Sequence, residues 1–207
     1  MTLPEFVNQL GDIWVDSQLE TYNPTLQSEQ DKRTQLRLEF DAAAEGQMQR
    51  LQRGLAALLS TLRELGTDAS TWEVFDRMKE TQGSPDGNPR ELYNISDEQL
   101  QLFYSAADHH YRLQHYQEAA DILTVLCAFD QQNGTFWLAL GNALFYTRDY
   151  EHALQAYIMS ALIDPEDPHS TLYAAHCYDL LGDKANAASF AQAAAQIREA
   201  QKIMKNN

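Results

Sequence analysis

The sequence predicts an all-α protein: a short solenoid of helix–turn–helix repeats preceded by a helical N-terminal module. Three observations predict it. Strand patterning is absent: no run alternates apolar and polar residues, and no Asn-Gly pair links β-branched runs. Capping signals and apolar stripes of helical spacing recur along the chain. The chain also repeats itself at an offset of 34, for Tyr150 falls on Tyr116 and Ala153 on Ala119.

Element by element, Thr2 and Glu5 have capping-box spacing and Pro4 suits a first turn, so a helix is expected over about 3–20. Its apolar residues include Phe6, Leu10, Ile13 and Trp14. "TYNPTLQS" breaks the chain, and a long helix follows from about Glu29 to Leu65. Met48, Leu51, Leu55, Leu58, Leu62 and Leu65 step by three and four along it, a heptad seam that must be buried. The first helix, the repeats or a second chain could cover it, the last making a homodimer. Gly66 ends that helix, and Ser70 with Glu73 is expected to cap a short helix through Trp72, Phe75 and Met78. "QGSPDGNPR" is dense in breakers. The expected division is therefore a helical module at 1–81, a linker at 82–95, and a repeat domain with a C-terminal helix at 96–207.

Ser96 and Gln99 make a further capping box, and from there three units fit, 100–133, 134–167 and 168–201. Ala107, Gly141 and Ala175 are the small residues where paired helices approach, and Ala119, Ala153 and Ala187 seat the second helices. Phe103, Trp137, Leu140 and Tyr157 are expected to fill the core, and replacing Trp137 to unfold the middle unit. This is the tetratricopeptide pattern, with a degenerate third copy and "AQAAAQIREAQKIM" as a capping helix.

In such a solenoid the first helices line the concave face. The register turns inward Tyr104, Asp108, Tyr111 and Arg112 from the first unit. It adds Leu138, Asn142, Phe145 and Tyr146 from the second, and Leu172 and His176 from the third. Only Arg112 and His176 are basic, too few to clamp a terminal carboxylate. The face is aromatic and aliphatic with scattered polar groups, which suits an extended apolar peptide.

Other classes are disfavoured. A formal net charge of −15 repels nucleic acid. The N-terminus lacks a signal-peptide pattern and no stretch is long enough to span a membrane, so a cytoplasmic protein without direct membrane insertion is expected. Cys127 and Cys177 read as buried free thiols. His109, His110 and His115 lack ligand spacing, and "DPEDPH" lacks the glycine-centred calcium loop. With no phosphate loop, nucleophile elbow or CxxC, neither an enzyme nor a cofactor is expected.

"ISDEQLQLFYSAADHHYRLQHYQEAADILTVLCAFD", "FWLALGNALFYTRDYEHALQAYIMSALIDPEDP" and "YAAHCYDLLGD" carry a more specific signature. It comprises Leu126-Cys127 with Asp130, Leu140-Gly141, Asp164 with Pro168, and Ala174-Ala175-His176-Cys177. Over about residues 92–200 the sequence resembles the class II chaperones of bacterial type III secretion. The resemblance implies three repeats, a cytoplasmic location and no catalysis. It also implies clients that are secreted translocator proteins, held through an extended proline- and leucine-containing segment, with Tyr104, Tyr111, Leu138 and Phe145 in the groove. Asp108 departs from the apolar residue the family often places there. A generic repeat adaptor and a chaperone of the needle subunit are the alternatives.

Overall fold

The computed structural model describes residues 28–80 and 89–205, together with Val15 and Leu19. The helix expected over 3–20 and most of the breaker-rich segment at 82–90 lie outside the described residues. Among the described residues there are helices and turns and no strand. The helices are α1 (Glu29–Glu64), α2 (Ala69–Glu80), α3 (Pro89–Leu92), α4 (Asp97–Arg112) and α5 (Tyr116–Phe129). They continue as α6 (Gly134–Tyr146), α7 (Tyr150–Ile163), α8 (Pro168–Leu180) and α9 (Lys184–Lys205). None is long and apolar enough to cross a membrane.

The last six helices form three antiparallel pairs whose punctuation recurs at the period read from the sequence. α5, α7 and α9 begin at Tyr116, Tyr150 and Lys184, 34 residues apart each time. The turn inside each pair has the same design. Gln114, Arg148 and Gly182 have φ of 62, 64 and 86°. The amides of the following residues, His115, Asp149 and Asp183, donate back to the carbonyls of His110, Leu144 and Tyr178. This is a Schellman motif used three times, and only the third copy has the glycine that a left-handed residue favours. Between pairs, Asn133 and Asp167 cap α6 and α8 through their side chains. The capping box of Ser96 and Gln99 is complete.

Small residues set the spacing within pairs. A Cβ on Gly141 would stand 2.5 Å from the Tyr157 ring, so that ring packs directly on the α6 backbone where the side chain is absent. Ala106, Ala107, Ala119, Ala153, Ala174 and Ala187 are buried as the register requires. Trp137 corrects the expected core. Phe136 is 2% exposed, whereas Trp137 is only partly buried, its indole N–H donating to the Gln131 carbonyl at 2.9 Å. Cys127 and Cys177 are buried free thiols, as expected. Burial raises both thiol pKa values, that of Cys177 to about 11, so both stay protonated at neutral pH.

α1 is held on the repeats rather than apart from them. Leu58 and Leu62 are fully buried and share one core with Phe103, Ala120 and Leu123. Among the described residues, the heptad seam packs against the repeats. Leu51 and Leu55 are partly buried against the same core, and only Met48 and Leu65 at the seam's ends are well exposed. The crossing with α5 is close, for a Cβ on Gly54 would lie 1.9 Å from the Asp121 carbonyl oxygen. Arg53 makes two hydrogen bonds to the Asp121 carboxylate, at 2.8 and 3.1 Å, and Arg50 reaches Asp149 at 3.2 Å. α2 adds Val74 and Phe75, the latter 5.6 Å from the Phe103 ring. Its start corrects the sequence reading. The backbone amide and hydroxyl of Thr71 both donate to Asp68, so the cap lies two residues before Ser70.

One polar contact fixes a tautomer at this junction. The Thr61 hydroxyl donates its single proton to the Ala57 carbonyl, and the same oxygen lies 2.8 Å from His110 Nε2. Nε2 must therefore carry the imidazole proton and donate, which leaves Nδ1 bare. That Nδ1 is buried without a partner. Burial, with His109 and His115 nearby, lowers the His110 pKa, against the opposing pull of Glu118 and Glu64. A base whose folded pKa is depressed stabilises the fold above its unfolded pKa and loses that contribution as pH falls through it. Stability is thus expected to fall below pH ~6.5, and His110→Gln, which donates but does not titrate, is expected to flatten the fall. Urea midpoints near neutrality and in mild acid check this, and identical acid slopes for the two proteins would mean that Nδ1 is not sealed.

Candidate functional site

The face made by α4 and α6 carries a cavity of about 110 Å³. Tyr104, Ala107, Asp108 and Tyr111 line it from α4, Ala139 and Asn142 from α6, and Leu123 from α5 behind them. The i, i+4 and i, i+3 spacing of 104, 108 and 111 puts these three side chains on one stripe of α4. Small residues at 107 and 139 leave the space open between the helices.

Four of the ten residues that the register turns inward thus meet in one cavity: Tyr104, Asp108, Tyr111 and Asn142. The other six do not line it. Arg112 is 78% exposed and pairs with Asp108 at 2.7 Å. Tyr146 is 56% exposed, stacked on Tyr116 at 4.7 Å and edge-on to Tyr111 at 5.9 Å. Phe145 and Leu138 are partly buried against the core, with Phe145 edge-on to Tyr150. Leu172 is partly buried and His176 exposed, its ring 6.3 Å from Tyr173. The register gives the face of a residue but not whether a neighbouring ring covers it. Tyr116 was missed because it opens a second helix, although its match with Tyr150 is the clearest sign of the repeat. It extends the aromatic surface beyond the cavity, 5.2 Å from Tyr111.

The polar groups of the cavity have defined roles. The Tyr157 hydroxyl donates to Asn142 Oδ1 at 2.9 Å. Burial pushes the Tyr157 pKa far up, so that proton is always present. With its oxygen occupied, Asn142 offers its NH2 group to a ligand. Tyr111 is pushed up to about 12 by burial and by Tyr146 and Tyr116, and Tyr104 is raised by burial and by the Asp108 charge. Both phenols are neutral donors. The cavity therefore combines aromatic walls, amide and hydroxyl donors, and one carboxylate acceptor. No group of three or more His, Cys, Asp or Glu among the described residues could hold a metal.

A second cavity, of about 660 Å³, lies on the other side of α6, between α1, α5 and α7. Leu51, Cys127, Trp137, Leu140, Leu144 and Met159 form most of its apolar wall, with Gln47, Gln131 and Gln155 among its polar lining. Trp137 belongs to this cleft rather than to the core of the middle pair.

No protein-family model matches the chain. Low calcium response locus protein H of Yersinia pestis is 31% identical over 98 residues, 47% of this chain and 58% of that protein. The chain thus spans little more than half the length of that relative. The Yersinia enterocolitica type III secretion translocator chaperone SycD is 29% identical in structure alignment, with a TM-score of 0.50, over 56% of this chain and 84% of SycD. PcrH, solved in complex with the chaperone binding region of PopB, is 30% identical with a TM-score of 0.50, over 51% of this chain and 86% of PcrH.

Proposed function

We propose that this chain, which belongs to the class II translocator chaperones of type III secretion, binds an extended segment of a hydrophobic translocator on the α4–α6 face. The observation that carries this reading is the convergence of Tyr104, Asp108, Tyr111 and Asn142 on one cavity. PcrH, a member 30% identical to it, was solved with the chaperone binding region of PopB.

The chemistry fits an extended peptide rather than a helix. An extended backbone presents unpaired amides and carbonyls, which Asp108 and the Asn142 NH2 group can meet as acceptor and donor. A helix has already used its own. The tyrosine faces supply apolar contact to alternate side chains. Holding such a segment keeps a membrane-active client soluble in the bacterial cytoplasm until export, a binding role that needs no catalytic group.

The test is co-expression of the full chain with the translocators of its own secretion system. Wild type is expected to carry a translocator into the soluble fraction. Tyr111→Ala with Asn142→Ala is expected to lose it, with affinity reduced by about 2–4 kcal/mol, in the range of interface hot spots. Both side chains are partly exposed, but Asn142→Ala also leaves the Tyr157 hydroxyl without its acceptor, so the melting temperature should fall by several degrees while the chain stays folded. Undiminished client binding by the folded double variant would move the site elsewhere, with the cleft beside Trp137 next in line. Capture of unrelated cytosolic proteins in place of translocators would favour a general adaptor.

A further inference from the structure

We propose that the cavity between α4 and α6 takes a positively charged side chain of the bound segment, a lysine or an arginine, with Asp108 as its counter-ion and Tyr104 and Tyr111 as its walls. This rests on the reading that the α4–α6 face binds an extended segment, and it adds the chemistry of one position in that segment.

The cavity is not built for an aliphatic side chain. Asp108 is one of its lining residues, and its side chain is 38% exposed. A backbone amide of the segment occupies one oxygen of that carboxylate, and an aliphatic occupant would take water from the other and return no hydrogen bond, which is unfavourable. An ammonium or guanidinium group replaces the water and pairs the charge. The tyrosine walls act in the same direction, since the face of an aromatic ring carries negative charge density and attracts a cation. The Asp108 charge is felt inside the site, because it contributes to the raised pKa of Tyr104. The net charge of −15 adds a long-range attraction for basic segments.

Arg112 is the competing cation. It bonds Asp108 at 2.7 Å from one helical turn away, but it is 78% exposed and does not line the cavity. Exposed pairs of this spacing are weak, so an incoming cation can take over the inner side of the carboxylate while Arg112 turns to solvent. Asn142 fixes the direction of the segment. Its oxygen is held by Tyr157, and its NH2 group meets a backbone carbonyl beside the charged side chain. A cavity of about 110 Å³ holds one side chain. It does not hold a helical turn, which is roughly 10 Å across and 5.4 Å long.

Selection of random short peptides on the full chain tests this without knowledge of the client. On wild type, Lys or Arg is expected to be enriched at one position among apolar residues. On Asp108→Leu the same position is expected to turn to Leu or Met. In a selected peptide, replacing that Lys by norleucine, which keeps the chain and removes the charge, is expected to weaken binding to wild type by about tenfold. The same replacement should not weaken binding to Asp108→Leu and is expected to strengthen it, in line with the apolar residues selected there. Asp108→Asn keeps the shape of the side chain and repeats the comparison if the leucine variant does not fold. Enrichment of apolar residues alone on wild type, or equal binding of the norleucine peptide, overturns the inference and leaves the face as an apolar binding site. Peptides that bind Tyr111→Ala with Asn142→Ala as tightly as wild type overturn both the face and the inference.

Discussion

Gly54→Ala is expected to lift α1 from the repeats, although it adds only one methyl group. The new Cβ would stand 1.9 Å from the Asp121 carbonyl oxygen and 2.5 Å from its carbon. These are backbone atoms inside α5 and cannot rotate away, so the helices must separate. Separation also pulls Arg53 from the Asp121 carboxylate, which is buried at 4% exposure and keeps only Gln117 as a side-chain partner. Overpacking alone costs about 1–3 kcal/mol, and a buried carboxylate that loses its cation costs about 3–5 kcal/mol. Arg53 is half exposed, so the lower end of the combined range is appropriate, about 4–5 kcal/mol in all. Gly46 is the control. It is on the same helix with nothing within 4 Å of a built Cβ, so Gly46→Ala is expected to stabilise by about 0.5–1 kcal/mol through helix propensity. Urea denaturation of the two variants should thus give shifts of opposite sign. A Gly54→Ala midpoint equal to wild type would mean that α1 does not cross α5 at this residue.

This crossing shows what local pattern can and cannot reveal. The limits of α1 were legible, because the breaker "TYNPTLQS" precedes it, the heptad stripe runs through it, and Gly66 follows with φ of 66°. The partner of the stripe was not, since Leu58 and Leu62 meet residues more than 40 positions away and periodicity carries no address. Leu62→Asp places a charge at a fully buried core position of this chain and is expected to disrupt folding. The repeats were legible in more detail because their punctuation is local: each turn is a Schellman motif at the same phase. Trp137 misled because a large residue at a repeat position implies core, whereas its neighbour Phe136 occupies the interior. At the proposed binding face, the register put Tyr104, Asp108, Tyr111 and Asn142 on the side of α4 and α6 that carries the cavity. Depth depends on ring-on-ring contacts such as Tyr146 on Tyr116, which come from different helices and leave no mark in spacing.

Tyr157 joins the stability of the middle pair to the proposed binding face, and Tyr157→Ala is expected to cost about 3–5 kcal/mol, as for other large aromatic truncations in cores. It is among the largest fully buried side chains, at 2% exposure, and fills the space that Gly141 leaves on α6. Domains of this kind have net stabilities of about 5–15 kcal/mol, so the variant should melt far below wild type. Trp137→Ala is expected to cost clearly less, because that ring is only partly buried at the edge of the open cleft. The ordering is the reverse of what residue size suggests. Tyr157→Phe separates the two roles of the side chain. It keeps the ring in place and removes the hydroxyl that donates to Asn142 Oδ1. The loss in stability is expected to be near 1 kcal/mol, the net contribution of one hydrogen bond. Binding should fall further, because the Asn142 amide is then free to turn its oxygen towards the carbonyl it would otherwise receive. Thermal melts of the three variants, with calorimetry of a bound peptide for Tyr157→Phe, read both effects. If Tyr157→Phe binds as tightly as wild type, Asn142 is not oriented by Tyr157, and the donor for the backbone carbonyl must be sought in the tyrosine hydroxyls of α4.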